Sequence, residues 1–188
     1  MKSTVLTLRL VLGDQLNRSH SWFNTVDPSV TYLLMEMRQE TDYVTHHIQK
    51  VVGFFAAMRR FAHWLRDSGH QVVYMKLDDP ANNHDLAANI GTLLRTHAFT
   101  LFEYLLPDEY RLDQQLKELC NELAIASQSY DTEHFLTERD DLAALFGAKP
   151  YLMETFYRQV RRKYKLLMEG DGETPLTGQW NYDVENRN

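Results

Sequence analysis

Short apolar, β-branched runs alternate along this chain with segments whose apolar residues recur every three or four positions. Strand-like and helix-like patterns that take turns in this way mark βαβ units, in which a crossover helix returns the chain to add a parallel strand. Thr4 to Leu12 reads as a first strand and Ser29 to Glu36, after the turn-like Asp27-Pro28, as a second. From Tyr43 to Ser68 the residues Val44, Ile48, Val51, Val52, Phe55, Met58, Ala62 and Leu65 fall at helical spacing, and Gly69 supplies a stop. Strands over Gln71 to Leu77, Phe99 to Leu106 and Ile125 to Tyr130 are then separated by helices over Asp85 to Thr96 and Leu112 to Leu123. The expected fold is α/β and Rossmann-like: about five strands, mainly parallel, with helices on both faces.

The pattern changes after residue 134, so the chain divides into an α/β domain over 1–134 and a helical tail over 135–188. Helices are expected at Glu138 to Phe146 and Tyr151 to Met168. The closing stretch from Gly178 holds Trp180 and Tyr182 with no partner element after it, as expected of a domain cut from a longer chain. A chain of 188 residues, 44% hydrophobic with only eight glycines and five prolines, can bury a real core, which excludes disordered and fibrous classes. A net charge of −6 argues against a domain whose main task is gripping phosphate backbones. The lone Cys120 can form neither an internal disulfide nor a cysteine-based metal site, and it reads as core filling in a reducing cytoplasm. Arg9 interrupts the first apolar run and no run reaches the length of a membrane span, so a soluble, unexported protein is expected.

The first two strands break off abruptly, one at Gly13-Asp14-Gln15 and the other at Glu36, and the ends of parallel strands are where such sheets place ligand groups. Gly13 permits close backbone approach or positive φ, while Asp14 and Gln15 offer an acceptor and an amide. Glycine companions are missing, so a dinucleotide fingerprint is disfavoured and a capped turn is an equal reading. Glu36 and Glu40 flank the exit of the second strand, and Tyr43, His47 and Lys50, spaced four and three apart, share one face of the expected helix. The competing reading is a solvated helix start with a Glu-Lys pair. Adjacent His46 and His47 would point about 100° apart on a helix, which disfavours a shared metal. No residue is assigned a catalytic role. Lys149, Arg158, Arg161, Arg162, Lys163 and Lys165, interleaved with Tyr151, Phe156, Tyr157 and Tyr164, suit either a DNA surface or, better, a docking helix over 151–165.

Several motifs carry a resemblance: LVLGDQLN at 10–17, YVTHHIQKVVGFFAAMRRFAHWLRDSG at 43–69, Leu77-Asp78-Asp79, Pro107-Asp108-Glu109-Tyr110-Arg111, LMETFYRQVRRKYKLLM at 152–168 and GQWNYDVENR at 178–187. Together they resemble the N-terminal domain of the deoxyribodipyrimidine photolyase-related family, which includes iron-sulfur bacterial cryptochromes and prokaryotic (6-4) photolyases. The resemblance implies a light-harvesting antenna domain followed, in the parent protein, by a helical domain holding FAD and a four-iron cluster. The parent would be a light-dependent DNA photolyase, a carbon-carbon lyase, or a light sensor. It further implies 6,7-dimethyl-8-ribityllumazine as a possible antenna at Gly13, Asp14, Gln15, Glu36, Glu40, Tyr43, His47 and Lys50. Phe54, one turn beyond Lys50, is placed to fill such a pocket instead of lining it, and Leu106 and Ala148 stand where the family usually has Glu and Arg. The implied partners are the FAD domain and, through the parent, DNA. The alternative to an antenna is a structural docking domain with an empty pocket.

Overall fold

The computed structural model describes residues 5–38, 42 and 44–182, which form two compact units divided after His134. In the first unit five strands make one sheet: β1 (Thr7–Leu10), β2 (Val30–Met35), β3 (Gln71–Met75), β4 (Leu101–Leu105) and β5 (Ala126–Tyr130). Their spatial order is β3-β2-β1-β4-β5 and every pairing is parallel, with Thr7 opposite Val30 on one side and Leu101 on the other. The chain therefore winds one way from β1 to β3, then crosses back to β4 and continues the other way. The reversal falls between β1 and β4.

Strand side chains alternate, and here both faces are apolar because both are covered. Leu8, Leu10, Leu33 and Met35 pack with α2 (Leu86–Thr96) through Leu86, Ile90 and Leu93, and with α3 (Tyr110–Glu122) through Leu112, Leu116 and Leu119. Val30, Tyr32 and Leu34 face the other way, against Trp22 and Phe23 of the 3-10 turn Ser21–Phe23 and against Phe61, Ala62 and Leu65 of α1 (Ile48–Asp67). Burying one such leucine fully contributes about 1.5–3 kcal/mol. Leu33 is among those fully buried, so truncating it to alanine would cost about 2–5 kcal/mol.

The α1 helix starts later than its apolar spacing suggests. His47 is its N-cap, and the ring Nδ1 accepts the Gln49 backbone N–H at 3.2 Å, so His46 and His47 precede the helix. With that start, the buried stripe runs through Phe55, Met58, Phe61, Ala62 and Leu65, whereas Ile48 and Val52 are 67% and 59% exposed instead of entering the core. Gly69, at φ +92°, ends the helix as expected, because a residue with a Cβ is strained there. Among the described residues no helix is long and apolar enough to cross a membrane.

The second unit holds α4 (Asp141–Phe146) and α5 (Met153–Tyr164). The α5 helix is shorter than its sequence pattern, since Lys165 turns left-handed at φ 53° and stops it. Arg161 is buried and donates to the carbonyls of Leu166 and Leu167, holding the chain as it leaves the helix. Trp180 does find a partner: the guanidinium groups of Arg158, Arg161 and Arg162 lie 5.4, 5.2 and 4.9 Å from its ring centroid.

Candidate functional site

A cavity of about 340 Å³ opens at the carboxyl ends of β1 and β2, beside the point where the strand order reverses. Its position follows from topology, because the segments leaving β1 and β4 depart in opposite directions and leave a crevice between them. The floor is the turn from Leu10 to Asp14 with Met35 and Met37. One wall is α1, through Val51, Phe54, Phe55 and Met58, and the facing wall is the start of α3, through Glu109 and Leu112. Apart from Asp14, His46, Lys50 and Glu109 the lining side chains are apolar. The volume lies at the lower end of the range of small-molecule pockets, about 300–1,000 Å³.

The residues proposed from the sequence part company here. Gly13, Asp14 and Lys50 line the cavity. Gly13 serves by close approach and not by positive φ: a Cβ built on it would overlap the Phe54 ring and stand 2.8 Å from the Met58 sulfur. Gln15 is buried and committed to the backbone. Its carbonyl oxygen accepts the Leu12 N–H at 2.9 Å, and its amide donates to the Leu105 and Leu106 carbonyls at 3.1 and 3.3 Å. It thus ties the end of β1 to the end of β4 across the reversal. His47 is spent on its cap, and Glu40 and Tyr43 lie outside the described residues.

Glu36 is also a structural group. Fully buried, it accepts Arg59 Nε at 2.5 Å, Arg59 Nη2 at 2.8 Å, the Tyr74 hydroxyl at 2.6 Å and the Leu77 N–H at 2.9 Å. Its backbone takes part as well, with N–H to the Met75 carbonyl and C=O accepting from Asn82. Burial pushes the Glu36 carboxyl upward, but the donors from Arg59, Tyr74 and Leu77 outweigh it and hold the group below the ordinary carboxylate range. Burial, and next the anion at Glu36, push the Tyr74 hydroxyl well up. Glu36 therefore stitches β2 to β3, with no lone pair turned to the cavity that the four donors leave idle.

The mouth is where charge collects. Asp14 is raised, first by desolvation at the cavity edge and then by repulsion from Asp108 and Glu109, against the pull of its own backbone N–H and of His134. Lys50 Nζ lies 3.3 Å from His46 Nδ1. The two histidines separate because one caps the helix and the other turns to the cavity, and not because of helical spacing. Among the described residues no group of three His, Cys, Asp or Glu could hold a metal. Sequence reasoning missed Met37, Met58, Glu109 and Leu112 as residues that line the cavity. The Pro107-to-Arg111 motif directly follows β4, so placing the strand-order reversal beside β1 would have pointed to Glu109.

The arrangement defines an α/β domain of the doubly wound class, with an apolar, polar-mouthed crevice in the position where such sheets receive ligands. The chain belongs to the deoxyribodipyrimidine photo-lyase-related protein family, whose model matches residues 9–188. It is 34% identical over 182 residues to a (6-4) photolyase of Agrobacterium fabrum, an alignment covering 96% of this chain and 36% of that protein. It is also 23% identical over 150 residues to an uncharacterized protein of Acanthamoeba polyphaga mimivirus, covering 77% of this chain and 73% of the relative. The chain thus spans little more than a third of the length of the photolyase it matches.

Proposed function

We propose that this chain is the chromophore-holding domain of a light-driven DNA-repair flavoprotein, and that its cavity takes a flat heterocycle of the 6,7-dimethyl-8-ribityllumazine type. The observation that carries the reading is the mostly apolar cavity of about 340 Å³ at the strand-order reversal of a photolyase-related chain. The residues fit such a group through shape: Val51, Met58 and Leu112 offer apolar walls to a methylated ring. At the mouth Asp14 can accept from ring N–H or hydroxyl groups, Glu109 can do so with the acceptor capacity that its exposed pairing with Arg111 leaves on each oxygen, and Lys50 can donate to a carbonyl. Gln15 and Glu36 are not available for that task, because their hydrogen bonds are made within the protein. A bound antenna absorbs light and passes the excitation to a flavin, which asks the protein for a fixed position and orientation and for no acid or base.

In this reading FAD, a four-iron cluster and the contact with DNA belong to the remainder of the parent protein, since one cysteine cannot ligate a cluster. A DNA surface on α5 is disfavoured. Arg161 turns inward, and Arg158, Arg162 and Lys163 are paired with Glu154, Glu173 and Asp141.

Titrating the purified protein with the lumazine and following fluorescence anisotropy tests the assignment. Saturable binding that weakens about tenfold in Lys50→Ala, the size of one lost charge-assisted hydrogen bond, is expected. A folded sample that shows no saturable binding would sink the antenna and leave the structural docking domain.

A further inference from the structure

The niche that Gly13 leaves at the end of β1 is filled by the protein itself. Phe54 sits there: its ring lies so close to the glycine that a single added Cβ would collide with it, and Met58 closes the niche from the next turn of α1. In a doubly wound sheet the end of the central strand is the place of closest approach between backbone and ligand, and a glycine there normally admits the ligand. Here the bare backbone admits an aromatic side chain, which takes up the part of the crevice nearest the sheet.

We propose that Phe54 is the specificity-determining residue of the cavity, restricting its occupant to a one- or two-ring heterocycle held between Phe54 and α3 and excluding a three-ring flavin. This rests on the ligand-binding reading given above. Three observations converge on it. The floor cannot retreat, because Met35 and Met37 are buried in packed surroundings. The facing wall cannot retreat either, because Leu112 is buried in the core shared with α2 and α3. Phe54 itself is only half-buried and sits on a single helix, so it is the wall element that can be truncated without opening the core.

The experiment compares 6,7-dimethyl-8-ribityllumazine with riboflavin, which carries the same ribityl chain on a wider ring, against the protein and its Phe54→Ala variant. Phe54→Leu serves as a second, gentler truncation. In the unsubstituted chain the lumazine should bind at least tenfold more tightly than riboflavin. In Phe54→Ala that preference should shrink at least tenfold, through a gain for riboflavin. A ratio unchanged by either truncation overturns the proposal even if lumazine binds, and binding of neither ligand to any variant overturns it too. Riboflavin gained by Phe54→Ala without lumazine binding to the unsubstituted chain would support the role of Phe54 while refuting the lumazine reading. A ligand-free measurement checks the premise: the Gly13 α-protons should carry a ring-current shift from Phe54 that disappears in Phe54→Leu, and shifts unchanged by that substitution would overturn it.

Discussion

Replacing Glu36 by alanine should unfold the end of the sheet before it touches the cavity. The carboxylate is 0% exposed, whereas the Arg59 side chain is 49% exposed, so the two halves of this ion pair respond differently. Arg59 can return to water when its partner disappears, and little is lost on its side. The Tyr74 hydroxyl and the Leu77 N–H, on half-buried residues, are less free to do so, and each loses the acceptor it now reaches at 2.6 and 2.9 Å. An orphaned donor of this kind costs about 1–3 kcal/mol, and the vacated side-chain volume adds about 1 kcal/mol. Relief of the buried charge offsets part of this, which leaves about 3 kcal/mol, toward the lower end of the range for breaking a buried pair. Urea denaturation followed by tryptophan fluorescence would show this as a lower midpoint at unchanged slope. A loss below about 1 kcal/mol would refute the structural role. The group also predicts a pH dependence. Its folded pKa is held below the ordinary value of 4.5, so its contribution is complete above that value and fades as pH falls through the depressed one. Glu36→Gln should therefore flatten the acid limb of the stability profile.

Two further substitutions test the same division of labour. Gln15→Ala removes three hydrogen bonds, one that fixes the side chain at the end of β1 and two that carry it to carbonyls at the end of β4, and should cost about 2–3 kcal/mol in the same urea assay. Asp14→Asn should go the other way at neutral pH: the fold raises the Asp14 pKa, so the ionised group disfavours the folded state, and the variant should gain on the parent as pH rises through that pKa. Thermal unfolding of both proteins between pH 4 and 8 reads the difference, and a constant offset across that range would contradict it.

The architecture was legible because its signals are periodic and mutually consistent. The short apolar, β-branched runs of β1 and β2, the long apolar stripe of α1 and the stop at Gly69 each specify one element, and the right-handed crossover rule turns their order into a parallel sheet. Element edges were less legible, since a side-chain cap decides them. His47 shows this: nothing in the apolar spacing distinguishes a histidine inside the first turn from one that ends the approach to it. The cavity was legible by location, while the parts its neighbouring polar residues play were not. Gly13, Asp14 and Lys50 do meet at the cavity, but Gln15 and Glu36 carry the same polar groups at neighbouring positions and spend them elsewhere. Only the partners distinguish a ligand group from a stitch, and Arg59, Tyr74 and Leu105 lie 23, 38 and 90 residues away in sequence.

That division has a physical cause. A parallel sheet ends in strands whose last backbone groups have no further ladder to join, and buried groups of this kind need partners. At the reversal between β1 and β4 the chain leaves in two directions, so no main-chain segment is available to satisfy both ends, and Gln15 does it with a side chain. Between β2 and β3 Glu36 does the same and recruits Arg59 from α1 to balance its charge. The polar residues nearest the crevice are consumed in closing the sheet, and what remains to face an occupant is the apolar wall of α1, the α3 start and a few charges at the mouth. A site built that way discriminates first by shape. For that reason the ring that fills the Gly13 niche weighs more in the choice of ligand than any of the carboxylates that first mark the place in the sequence.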